Sequence, residues 1–145
     1  MTAKGTALSK TDRELIEAAS EAIRNRYRYD WQEVGAALRL RSGKVFTGVS
    51  LDAYLGRMAV CAEAVALGQA VTAGENNIET IVAVRHPAPD ENGRAIEVVS
   101  PCGACRELIW DYARDARVIV PGPNGPEVVG IGELIPNKYS RERGT

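Results

Sequence analysis

Three cysteines and one glutamate hold most of the chemical capacity of this 145-residue chain. They fall in two short runs, Cys61-Ala62-Glu63 and Pro101-Cys102-Gly103-Ala104-Cys105, and each run opens a segment with helical periodicity. A helix start presents unpaired N–H groups and the positive end of the peptide dipole, which favour thiolate over thiol. Three thiolates without a fourth cysteine suit a zinc ion that keeps one coordination position for water or substrate, the mark of a catalytic site. Such a site lowers the pKa of water from 15.7 towards about 7 and so supplies hydroxide at neutral pH. A neighbouring group must then carry the proton, and Glu63, in the first turn beside Cys61, is placed to act as general acid and base. One Zn²⁺ per chain on Cys61, Cys102 and Cys105 is the expected cofactor. A thioredoxin-like redox pair, or cysteines serving as small apolar core residues, would leave Cys61-Ala62-Glu63 without a purpose. His86, the single histidine, is the alternative ligand, but its place between Arg85 and Pro87 in a polar stretch predicts a solvent-facing loop residue.

Charge narrows the partners. With 18 Lys+Arg against 19 Asp+Glu, the net charge of −1 provides no footprint for a polyanion, so no nucleic-acid partner is expected and a small-molecule substrate is. The cluster Arg24-Asn25-Arg26-Tyr27-Arg28 reads as a solvated helix end or subunit contact. No apolar run approaches the roughly 20 residues of a membrane helix, and the first residues lack the apolar core of a signal peptide. A cytoplasmic protein without membrane contact is expected, with an odd cysteine count that argues against a disulfide framework.

The elements that must position these groups follow from periodicity. Residues 11–28 carry Leu15, Ile16, Ala19, Ala22, Ile23 and Tyr27 at helical spacing, with Thr11 or Asp12 as cap. Val34, Ala36, Leu38 and Leu40 alternate with Gly35, Ala37, Arg39 and Arg41, and Ser42-Gly43 turns the chain into a second alternating run from Val45 to Leu51, a β-hairpin. A helix over 61–73 stops at Gly74 and leads into a buried strand over 78–84. Residues 85–94 form a surface loop, a third helix follows Pro101 with Cys105, Leu108, Ile109 and Tyr112 on one face, and 117–120 is a strand. Trp110 and Tyr112 read as packing residues. Residues 127–129 suit an edge strand and 132–135 a short helical turn. The fold class expected is α/β, a three-layer α-β-α arrangement around a mixed five-stranded sheet in a single domain over 1–145, with 1–9 and 140–145 flexible.

The two cysteine runs match the ligand-x-Glu and Pro-Cys-x-x-Cys halves found in zinc-dependent nucleobase deaminases. With these, Gly35-Ala36-Ala37-Leu38, Gly43-Lys44-Val45-Phe46-Thr47-Gly48-Val49, Ser100-Pro101-Cys102-Gly103-Ala104-Cys105-Arg106 and Val129-Gly130-Ile131-Gly132-Glu133-Leu134-Ile135-Pro136 make the chain resemble the small, homotetrameric cytidine deaminases over roughly residues 34–139. Within that family it looks more like the blasticidin-S deaminases than the housekeeping enzymes. The resemblance implies a cytidine deaminase-like fold, a homotetramer, attack of zinc-bound hydroxide on C4 of a cytosine ring, and protonation of N3 and the leaving amine by Glu63. It implies that backbone groups of Ala62 and Ser100 hold the ring. The family's ribose-gripping Asn and Glu correspond to Ser50 and Asp52, and its ring-stacking Phe to Gln32, with Trp31 next to it as the substitute aromatic. The blasticidin-type aromatic tail corresponds to Tyr139, while Arg141 stands where a Trp is expected. Relatives offset the cluster's charge with an Arg at the positions of Ala64 or Ala104; Arg57 and Arg106 are the substitutes this chain offers. The function expected is hydrolytic deamination of a cytosine nucleoside or related amino-heterocycle, the alternative being detoxification of a cytosine-nucleoside antibiotic.

Overall fold

The computed structural model describes residues 4–141. Helix α1 (Lys10–Arg26) precedes the hairpin β1 (Val34–Leu40) and β2 (Val45–Val49), then come α2 (Ala62–Thr72), β3 (Ile78–Arg85), β4 (Glu97–Val99), α3 (Gly103–Tyr112), β5 (Arg117–Val120) and β6 (Glu127–Gly130). The sheet runs β2-β1-β3-β5-β6, with β3 and β5 the parallel pair and the other neighbours antiparallel. These are the five strands expected; β4 adds a sixth, pairing antiparallel with the far half of β3 through Ala83–Val99, Val84–Val98 and Arg85–Glu97. Three residues are too few for an alternation to declare itself, so only the pairing reveals this strand.

Strand periodicity sorts the core into two layers. Ala36, Leu38 and Leu40 of β1 face α2 and α3, in one cluster with Ala66, Leu67 and Ile109, whereas Ala37, Val82, Val84 and Ile119 face α1 and pack on Leu15, Ala19 and Ile23. Two glycines allow the close approach of these layers. A Cβ on Gly35 would stand 2.5 Å from the Ala19 carbonyl oxygen, and one on Gly48 would stand 2.6 Å from the Ala66 nitrogen and 2.9 Å from the Ala62 oxygen. Gly48 thereby lets β2 seat the first turn of α2, the turn that carries Glu63.

The cap of α1 lies earlier than expected. Ser9, not Thr11 or Asp12, is the N-cap, because Asp12 at the third helical position returns a bond to the Ser9 N–H and closes a capping box. Asp12 is fully buried and also receives both guanidinium nitrogens of Arg117 at 2.9 Å and Arg39 at 3.2 Å, while both arginines reach Thr80 Oγ1. The network rivets the start of α1 to β1, β3 and β5. Of the ends expected to be flexible, Thr6 pairs with Val128 through two backbone bonds, and residues 1–3 and 142–145 lie outside the described residues. No helix is long and apolar enough to cross a membrane among the described residues.

Candidate metal centre and its cavity

Both cysteine runs sit at helix starts, as their spacing predicts. Cys61 is the N-cap of α2 and Cys102 the N-cap of α3, each with extended backbone, and the Cys61 side chain makes no cap bond. Cys102 Sγ accepts from the Cys105 N–H at 3.5 Å. The Cys61 and Cys102 sulfurs stand 3.6 Å apart, and all three ligand atoms lie within 4.8 Å of one another. Sulfurs on a tetrahedron with Zn–S near 2.3 Å stand roughly 3.8 Å apart, so donor type and spacing both fit one zinc ion. His86 is elsewhere, stacked on Tyr27 with ring centroids 3.7 Å apart and Nδ1 2.8 Å from the Pro87 carbonyl; it is half-buried, not solvent-facing, because the Tyr27 ring covers it.

Glu63 is 6% exposed, and its Oε2 lies 3.8 Å from Cys105 Sγ. Burial raises the pKa of its carboxyl, against the opposing pull of its own backbone N–H and the Cys105 thiol. Burial likewise pushes the Cys105 thiol far up, reinforced by the charge of Glu63, and raises Cys61, helped by its bond with Cys102. Cys102 goes the other way. Burial would raise it, but the N–H groups of Cys105 and Ala104 and the neighbouring thiols outweigh that and hold it low.

Beside the sulfurs opens a cavity of about 350 Å³ lined by Trp31, Glu33, Val34, Ser50, Leu51, Asp52, Ala59, Val60, Cys61, Ala62, Glu63, Val99, Ser100 and Cys102. It brings together Trp31, Ser50, Asp52, Ala62 and Ser100 from the expected set; Gln32 is not on the lining. Tyr139 is not either: it is 71% exposed, on a segment latched by Lys138, which bridges Glu107 and Asp111 on α3. Ser50 Oγ accepts from the N–H groups of Glu33 and Val34, tying the start of β1 to the end of β2. Asp52 Oδ1 accepts from the Ala53 N–H, and its own N–H bonds to the Trp31 carbonyl, so Asp52 and Trp31 are fixed together. Paired backbone bonds between Leu51 and Val60 pinch the base of the loop between them. Sequence reasoning missed Glu33, Val34, Leu51, Ala59, Val60 and Val99; their one signal was a place within two residues of Gln32, Ser50, Cys61 or Ser100.

A family model described as the cytidine and deoxycytidylate deaminase zinc-binding region matches residues 9–121. The chain belongs to this family. It is 51% identical to a blasticidin-S deaminase of Bacillus cereus over 135 residues, 92% of this chain and 96% of that one. It is 29% identical to a cytidine deaminase of Halalkalibacterium halodurans, over 88% and 93% of the two chains. Among solved structures, the cytidine deaminase of Burkholderia pseudomallei superposes with a TM-score of 0.71 at 28% identity, covering 91% of this chain and all of that one. That of Bacillus anthracis, at 19% identity, shares the fold with a TM-score of 0.75. Membership agrees with the enzyme class and the cofactor that the cysteine spacing led us to expect, a deaminase with a zinc site on Cys61, Cys102 and Cys105.

Proposed function

We propose that this chain hydrolytically deaminates a cytosine nucleoside or a related amino-heterocycle, with Glu63 as the proton carrier. The observation that carries the reading is a buried carboxyl at the edge of a three-cysteine cluster, both opening on one cavity. When bound, zinc supplies a water acidic enough to serve as nucleophile near neutral pH. Glu63, raised by burial, takes a proton from the attacking water and gives it to the ring nitrogen; it then takes the proton of the hydroxyl left on the ring carbon and gives it to the amine, which departs as ammonia. Backbone groups of Ala62 and Ser100 orient the ring against the Trp31 side of the cavity, and Ser50 and Asp52 meet its substituent. The Ser50 hydroxyl, already accepting two amides, keeps its hydrogen to donate; Asp52 keeps one oxygen to accept.

A second reading, turnover of a cytosine-nucleoside antibiotic of the blasticidin type, is favoured by the 51% identity to the Bacillus cereus enzyme. One screen tests both: ammonia release from cytosine, cytidine, deoxycytidine, 5-substituted cytidines, blasticidin and amino-purines, with Glu63→Gln as control. Release from cytidine or deoxycytidine above all others supports the first reading, release from blasticidin the second, and none from any compound by zinc-loaded protein refutes both. The working form is a homo-oligomer, a tetramer by family resemblance, in a reducing compartment such as the cytoplasm. Tyr54 and Leu55, 95% and 69% exposed in the loop beside the cavity, are apolar surface that a second copy would cover. Light scattering that finds a monomer at micromolar concentration would contradict this.

A further inference from the structure

Arg106 follows the last cysteine, yet its side chain turns back to the first residue of the same run. Its Nε donates to the Pro101 carbonyl at 2.9 Å and its Nη1 to the Leu134 carbonyl at 3.0 Å. The Pro101 carbonyl belongs to the peptide that enters Cys102, so the first bond fixes the plane about which the Cys102 side chain is set. Its far anchor is firm: the Leu134 N–H bonds to the carbonyl of Ile131, a fully buried residue. Pro101 is buried as well, so this carbonyl has no ready water to replace the guanidinium. Arg106 is half-buried, and no carboxylate lies within 4 Å of it among the described residues, although a guanidinium taken from water normally finds one.

We propose that Arg106 is a positioning residue for the metal centre: it holds Cys102 in its ligating orientation by bridging the Pro101 and Leu134 carbonyls, and so couples zinc retention to the segment after β6. The planar fork of arginine holds two carbonyls at a fixed spacing and angle, whereas the ammonium of lysine is a point donor on a flexible stem. The inference rests on zinc being held by the three cysteines.

The test is zinc affinity, by competition with a chromogenic chelator, in Arg106→Gln, Arg106→Lys and the surface control Lys10→Gln, whose side chain is 91% exposed on α1, with melting midpoints of zinc-loaded and zinc-stripped protein alongside. Outer groups that orient metal ligands typically change metal affinity about 10- to 100-fold. That loss is expected in both Arg106 variants, with a narrower gap between loaded and stripped midpoints, while Lys10→Gln stays within about threefold of the parent. Affinity within about threefold of the parent in the Arg106 variants, with both midpoints lowered equally, would make Arg106 a packing residue and overturn the proposal. If Arg106→Gln does not fold, Arg106→Lys is judged by the same comparison. A parent protein that takes up no zinc in this titration would instead remove the metal centre itself, an outcome distinct from any effect of Arg106.

Discussion

Glu63 Oε2 and Cys105 Sγ lie 3.8 Å apart although they belong to different helices, 42 positions apart in sequence. The contact joins the starts of α2 and α3, so one side chain meets both the sulfur cluster and the cavity. Glu63→Gln keeps the shape and removes the proposed proton carrier. It is expected to lower kcat by roughly 10²- to 10⁴-fold with zinc content unchanged, measured as ammonia release beside metal analysis. Activity within tenfold of the parent would assign the proton transfer elsewhere.

Zinc uptake should release protons. The Cys61 and Cys105 thiols are both raised, so in the metal-free protein at pH 7 they are protonated and must give up their hydrogens to ligate. About two protons or more per zinc are expected, and affinity should fall as pH falls. Calorimetry in buffers of different ionisation enthalpy counts them; fewer than one would show that the thiols are not the ligands.

Asp12 links acid stability to the α1 rivet. Burial would raise its pKa, but Arg117, the Ser9 N–H and hydroxyl, and Arg39 outweigh burial and hold it well below its ordinary 3.8. The stability it contributes is therefore complete above pH 3.8 and is lost as pH falls through the lower folded value. Asp12→Asn leaves two arginines facing a neutral group and should cost roughly 3–5 kcal/mol, read by denaturant unfolding at pH 7, with the difference from the parent shrinking in acid. A cost below about 1 kcal/mol would mean that the network relaxes around the loss.

Charge on the cavity lining should select nucleosides over nucleotides. Glu33, Asp52 and Glu63 line it, and none of its lining residues is basic. Like charges brought together cost several kcal/mol, so kcat/KM for deoxycytidylate should be at least about 100-fold below that for any deoxycytidine turnover. Equal turnover would require a cation from outside this lining, such as another subunit.

The cysteine cluster and the glutamate beside it were legible because their spacing is local. Cys61 and Glu63 share one helix start, Cys102 and Cys105 another, and a helix start has a fixed geometry whatever packs around it. The hairpin, the three helices and the five strands of the main path were legible for the same reason, since strand and helix periods are set by the backbone. What tertiary structure alone decided involves residues far apart in sequence. Arg39 alternates with apolar neighbours as a solvent-facing residue would, but α1 covers that face of β1, and Arg39 is 8% exposed against Asp12. Arg117 meets Asp12 across 105 positions, and Ser50 takes amides from Glu33 and Val34 across 17 and 16. The same holds for the cavity, which took Trp31 and left out Tyr139, and for β4, visible only beside β3. Backbone geometry repeats every few residues and is written into residue types; which side chains meet depends on how whole layers pack, and no spacing along the chain records that.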